Sequence, residues 1–199
     1  MLVVFSNYDD ATEILNKCAT RFLQKATDRV CRSLGPPAAT ASAIELALTE
    51  NQRVAVFFFG HGDLQTLSLM AHDKEPAIHP RNLKLLAERV VCATACFSWE
   101  ILNNGAQAYD FTILGYKGIL NLPLDFKYHE SFVECVLAAP LQLLGGATAR
   151  AARSEGAEVF EQVALRLVSS GSVGDAMVAS LVFRKAALAM RVEGQDRTI

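Results

Sequence analysis

An α/β sandwich with a mostly parallel central sheet is the fold that this chain predicts. Apolar runs rich in β-branched and aromatic residues recur at 2–6, 54–59, 90–94 and 112–116. Stretches with helical spacing separate and follow them. Continuous apolar runs bounded by turn signals mark strands buried on both faces, as in a parallel sheet with helices on either side. A third observation concerns chemistry. Two of the runs stop at a reactive side chain, 54–59 just before His61 and 90–94 just before Cys96.

Taken in order, 2–6 reads as the first strand. Asn7, Tyr8, Asp9 and Asp10 form a turn able to cap the next helix. Ile14, Leu15, Cys18, Phe22, Leu23, Ala26 and Val30 give 11–34 helical spacing, stopped by Gly35-Pro36-Pro37. A second helix spans 40–49. The strand at 54–59 carries His61 past its end. Weak alternation over 64–71 suggests a short hairpin, and 72–80 is a loop. Residues 81–87 are helical, 90–94 is the third strand, and a helix starts at 98–104 with Gly105 suited to its end. The fourth strand is 112–116, and 117–128 is a loop containing Pro123. Helices at 129–144, 148–170 and 173–192 are separated by Gly145-Gly146 and Gly171-Ser172, and 193–199 reads as a frayed tail.

The chain has 199 residues, 51% of them hydrophobic and 20% charged, with a formal net charge of −2. Its mean hydropathy is +0.22. These values argue for one domain over 1–199 with a sizeable core and against disorder. No Lys/Arg cluster stands out in the sequence, so no nucleic-acid partner is expected. No window has the length of an uninterrupted membrane span, and no secretory signal is visible. Five cysteines and no signal imply free thiols in a reducing cytoplasm. Cys92 and Cys96 lack a second ligand pair at zinc spacing, and His72 and His79 lack Cys partners, so no metal or other cofactor is expected.

Ligands of open parallel sheets bind at the carboxyl ends of the strands. If 54–59 and 90–94 are neighbours, His61 and Cys96 leave the same sheet edge, as a thiolate–imidazole pair requires. Gly60 and Gly62 flank the histidine and permit close backbone approach. A lone cysteine or histidine at a strand end is more often structural, but the conjunction is less frequent by chance.

A strand ending in Phe59-Gly60-His61-Gly62, followed by one ending in Thr94-Ala95-Cys96-Phe97-Ser98, resembles the caspase-like (clan CD) cysteine peptidases. The strand Phe111 to Tyr116 and the helical region after it are similar to the prokaryotic CHAT-type members. The likeness covers roughly residues 1–170 in order of elements. It implies a caspase-like three-layer sandwich and a thiol protease with a Cys96–His61 dyad. The oxyanion donors it implies are the amides of Gly62 and Cys96. It also implies a cytoplasmic, regulated endopeptidase acting on protein substrates in antiviral defence or cell-death signalling, under an activating or inhibitory protein partner. Cleavage of a loop such as 117–128 or 35–40 is a further route of control. Metacaspases of basic specificity carry Asp two residues before the nucleophile, where this chain has Thr94.

Asp9, Asp10, Asp63 and Asp125 fall at the expected rim and favour Arg before the scissile bond, because a desolvated guanidinium needs a carboxylate. Taken singly, each also reads as a helix cap or turn residue. Tyr116 is a further substrate-contact candidate, and Trp99 a groove wall. The alternative reading is a catalytically silent caspase-like scaffold that binds a protein partner. A flavodoxin-like ligand module lacks a phosphate-binding fingerprint here.

Overall fold

The computed structural model describes residues 1–26, 28–29, 32–51, 54–123, 125–169 and 174–199. Six strands form the main sheet: β1 (Leu2–Phe5), β2 (Arg32–Leu34), β3 (Val56–Phe59), β7 (Val90–Thr94), β8 (Thr112–Tyr116) and β9 (Met190–Glu193). Their order is β2-β1-β3-β7-β8-β9, parallel except for β9. Three short strands, β4 (Gly62–Asp63), β5 (Ser68–Met70) and β6 (Pro76–Ile78), make a separate antiparallel sheet. The expected hairpin therefore has a third strand within what reads as a loop.

Strand periodicity divides the core into two layers. Leu2, Val4, Val56, Phe58, Val91, Ala93 and Ile113 face α2 (Ala41–Glu50), α3 (Ser98–Tyr109) and the small sheet. Val3, Phe57, Phe59, Val90, Cys92, Leu114 and Tyr116 face α1 (Asp10–Lys25), α4 (His129–Leu144), α5 (Ala149–Ser169) and α6 (Asp175–Ala189). Side chains alternate across a strand, so a sheet covered on both sides needs apolar residues at every position. The result is a three-layer α/β sandwich. Phe132, Phe160 and Phe183, one from each of the last three helices, meet edge-to-face with centroids 5.9–6.1 Å apart.

Several expectations need correction. The long first helix stops at Lys25, and Arg32–Leu34 leaves it to pair in parallel with Leu2–Val4. Three residues are too few to display an alternation, so helical spacing ran through them; the position of Val30 lies outside the described residues. Within 81–87 the helix is a single 3₁₀ turn, Leu83–Leu86. Another such turn, Phe126–Tyr128, ends the loop that follows β8. Gly105 lies inside α3, where a Cβ would come 2.6 Å from a Leu83 methyl, so close packing of the helix explains it. The break expected at Gly171-Ser172 falls outside the described residues.

The C-terminal end departs most. The helix expected over 173–192 stops at Ala189, and Met190–Glu193 becomes an antiparallel edge strand on β8. The expected fraying of 193–199 is replaced by tertiary bonds. The Arg197 guanidinium donates to the Asp110 carbonyl and carboxylate, and the Arg197 and Asp196 acceptors take the amides of Ala149 and Arg150. Met-Arg-Val-Glu has no strand signature because only one face of this edge strand meets the core.

Arg89 is an unusual buried charge, 2% exposed. Its guanidinium donates to the carbonyls of Leu48, Asn51, Val54 and Leu85. Leu48 and Asn51 lie at the C-terminal end of α2, where cations are favoured and carbonyls lack helical partners. Arg89→Met should leave those carbonyls without donors and cost about 2–4 kcal/mol. Urea denaturation of the two proteins checks this, and an unchanged midpoint would contradict it.

Candidate functional site

The chain passes from β1 out to β2 and then back across to β3, so strand order reverses between β1 and β3. Ligand crevices of open α/β sheets form at such a point. Asn7, Tyr8 and Asp9 follow β1 there, and His61 follows β3.

Register then brings Cys96 to the same edge. Phe59 pairs with Thr94, and the Gly60 amide donates to the Thr94 carbonyl at 3.2 Å. His61 and Cys96 each lie two residues beyond that pair. Their turns touch: a Cβ on Gly62 would sit 1.9 Å from the Cys96 carbonyl oxygen. Only glycine permits this approach.

The turn bearing Cys96 is clamped from several sides. Phe97 has a left-handed backbone (φ 54°, ψ 14°), a conformation that costs a non-glycine residue about 1–3 kcal/mol. Its amide donates to the Gly118 carbonyl at 2.7 Å. The buried Ser98 hydroxyl donates to the Ala93 carbonyl and accepts the Tyr116 amide, both at 2.9 Å. Glu100 accepts the Gly118 amide at 2.8 Å. These bonds tie the ends of β7 and β8 together.

His61 and Asp9 form the polar core of the site. His61 Nε2 lies 2.8 Å from Asp9 Oδ2, and Nδ1 has no hydrogen-bond partner among the described residues. Asp9 Oδ1 accepts the Thr12 amide at 2.8 Å and its hydroxyl at 2.9 Å, which makes Asp9 the N-cap of α1. Burial pushes the Asp9 carboxyl up. The bonds from Thr12 and His61 outweigh it and hold the group below its ordinary range. Tyr8 packs its ring between His61 and His72, with centroids 5.5 and 6.1 Å away, and the Lys74 ammonium lies 5.1 Å over it. Burial and then the Asp9 charge push the Tyr8 hydroxyl up to about 12.

The thiol is half-buried and sits apart from the imidazole's bonds. It donates to the Leu120 carbonyl, 3.9 Å from Sγ. Burial raises the Cys96 pKa, and the backbone of Leu120 and of Cys96 itself offsets this only in part. The ground-state side chain is therefore a neutral thiol near neutral pH. Neither amide expected to serve the oxyanion donates to a carbonyl among the described residues. The Met70 amide donates to the His61 carbonyl, so Gly62 opposite Leu69 is a non-bonded pair whose amide points away from β5. The Cys96 amide has no carbonyl acceptor among the described residues.

The other expected site residues do not converge. Asp10 is exposed in the first turn of α1. Asp63 closes its own turn with the Thr66 hydroxyl and the Gln65 amide, which together hold its carboxyl low. Asp125 caps the 3₁₀ turn at Phe126–Tyr128 and pairs with Lys127 at 2.7 Å. Tyr116 is not a rim residue. It is 2% exposed, and strand alternation turns it into the α1/α4 layer beside Cys18, Cys92 and Cys135. Trp99 is partly buried with Lys117 above its ring. Sequence reasoning missed Asp9 as the partner of His61 and missed Tyr8 and His72 altogether. Their one signal was position: they follow, or fold back onto, the strand adjacent to β3.

No protein-family model matches the chain, and no curated protein matches its sequence. Among the described residues no group of three or more His, Cys, Asp or Glu could hold a metal ion, and no helix is long and apolar enough to cross a membrane.

Two predictions arise from this geometry. Gly62→Ala should both destabilise the protein and slow alkylation of Cys96, because the clash is with backbone and not with a flexible side chain. Thermal unfolding and iodoacetamide kinetics would reveal it, and wild-type values in both would refute the close approach. Separately, alkylation of Cys96 should accelerate with rising pH towards a midpoint above the ordinary cysteine value. A raised pKa leaves the thiol protonated as pH climbs through the usual range. A plateau already reached near neutrality would contradict the burial argument.

Proposed function

We propose that this chain is a caspase-like cysteine peptidase in which Cys96 is the nucleophile and His61 the acid–base group. The observation that carries the reading is the in-register overhang of β3 and β7, which sets imidazole and thiol on one sheet edge. Asp9 on His61 Nε2 adds a partner that steadies the ring and the imidazolium, a role that a dyad alone leaves open.

The reaction follows from the residues. His61 Nδ1 takes the Cys96 proton as sulfur attacks the peptide carbonyl carbon. The C–S bond forms, and the carbonyl electrons move to an oxyanion held by the Gly62 and Cys96 amides. Collapse breaks the C–N bond, and His61 returns its proton to the leaving amine. Water, deprotonated by His61, then attacks the thioester, releases the acid and restores the thiol. The resting thiol faces the Leu120 carbonyl, 3.9 Å from Sγ. Leu120 belongs to the loop between β8 and the Phe126–Tyr128 turn. Movement or cleavage of this loop by a regulatory partner is therefore the favoured route of activation. A preference for Arg before the scissile bond belongs to the same proposal and would draw on the exposed carboxylate of Asp10, because both Asp9 oxygens are engaged by Thr12 and His61. A role in prokaryotic defence signalling belongs to the same proposal and rests on the family likeness.

A peptidyl fluorogenic library tests this directly. Cys96→Ala and His61→Ala should abolish cleavage with little change in fold, since both residues are partly exposed. Cys92→Ala should keep activity and lose about 1–2 kcal/mol of stability, as a buried side chain is shortened. Asp9→Asn should lower kcat by about 10²-fold or more while KM changes little. Cleavage that survives Cys96→Ala would end the peptidase reading. A library with no turnover, joined to specific capture of a protein partner, would favour the silent scaffold.

A further inference from the structure

Along the free flank of the sheet, a cleft of about 470 Å³ lies between the start of α5 and β9. It is lined by Arg150, Arg153, Ser154, Leu188, Arg191 and Val192, with no carboxylate among them. None of the three arginines takes part in an ion pair among the described residues. Arg153 donates through Nε to the Met190 carbonyl at 3.1 Å, which leaves both terminal nitrogens open. Arg191 donates through Nη1 to the Met190 and Leu188 carbonyls, which leaves Nη2 and Nε open. Two guanidiniums thus meet at one carbonyl oxygen without a counter-charge. The side chain of Arg150 makes no hydrogen bond among the described residues. Three acids lie near these arginines along the chain: Glu193, which accepts from Gln107; Asp196, which accepts the Arg150 amide; and Glu155, which forms no ion pair among the described residues.

The helix start itself is not the attraction, because its first amides are already taken by Arg197, Asp196 and Thr148. What remains is a set of donors from three guanidiniums and the Ser154 hydroxyl. The ladder adds one more. Lys117 donates to the Ala189 carbonyl, so Met190 and Val192 present their backbone groups outward. The Met190 carbonyl is taken by the two arginines, and the Val192 amide has no acceptor among the described residues. Donors of this kind, forked and unpaired with carboxylate, match a phosphate chain. Leu188, 67% exposed, and Val192 form an apolar wall beside them. The volume falls in the range of small-ligand sites.

We propose that this cleft binds a nucleoside phosphate, with the phosphate chain on Arg150, Arg153 and Arg191 and the ring against Leu188 and Val192. The site is separate from the proposed peptidase centre and stands or falls independently of it. Calorimetry of the full chain at low ionic strength tests it with ADP, pyrophosphate, adenosine and a tetraglutamate peptide as probes. ADP should bind with one-to-one stoichiometry, pyrophosphate should compete more weakly, and adenosine should bind at least tenfold more weakly than ADP. Affinity should fall as salt is raised. Arg150→Gln, which removes no internal hydrogen bond, should weaken ADP at least tenfold while leaving thermal unfolding and Cys96 alkylation unchanged. Absence of ADP binding, or equal affinity in Arg150→Gln, would overturn the proposal. Pyrophosphate binding as tightly as ADP would remove the nucleoside from it, and tighter binding of tetraglutamate would assign the cleft to acidic peptides instead.

Discussion

The parallel pairing of β3 with β7 is the constraint on which the rest of the site depends. Because Phe59 stands opposite Thr94, equal overhangs of two residues bring His61 and Cys96 to one level. A slip of one residue would turn every side chain of a strand to the other layer. Both layers are apolar and filled, so the register is specified twice, once by each core. The Gly62–Cys96 approach is a third check, since it tolerates no side chain.

Asp9 joins the start of a helix to the orientation of a ring. One carboxylate oxygen holds Thr12 and begins α1; the other holds His61. The helix in turn packs Phe22 on Phe57, with centroids 4.5 Å apart. Phe57 lies in β3, the strand that carries His61. The imidazole is therefore positioned from both sides of the strand-order reversal, by its own strand and by the cap of the neighbouring helix. The same carboxylate contributes stability above its unfolded-state pKa. That contribution is lost as pH falls through its lower folded value.

Around Cys96 the structure balances strain against anchoring. Phe97 occupies a left-handed conformation, and the bonds from Ser98 and Gly118 hold it there. The thiol beside it is raised in pKa by burial and rests on Leu120. A neutral, shielded sulfur is slow to react with passing electrophiles, because the thiolate is the nucleophilic form. Its reactivity is thus coupled to the loop after β8, whose Gly118 and Leu120 carbonyls hold the amide of Phe97 and the thiol.

The four long apolar runs, their boundaries within two residues, and the reactive side chains beyond two of them were readable locally. Burial on both faces leaves an unbroken hydrophobic record in each strand. Helix starts were readable where a side chain caps them, as at Asp9 and Thr40. Tertiary structure alone decided the rest. Strands β2 and β9 are three and four residues long, and their pairing is a long-range hydrogen-bond event that leaves no periodic trace. The direction of Tyr116 depends on strand parity relative to a core that only the folded chain defines. Which acid serves His61 depends on the adjacency of β1 and β3, set by a crossover through β2 rather than by nearness in sequence. Local sequence thus determined the elements and the reactive groups, because burial and capping act over a few residues. Which of those groups meet was decided by strand order, because pairing between distant segments depends on the whole packed sheet.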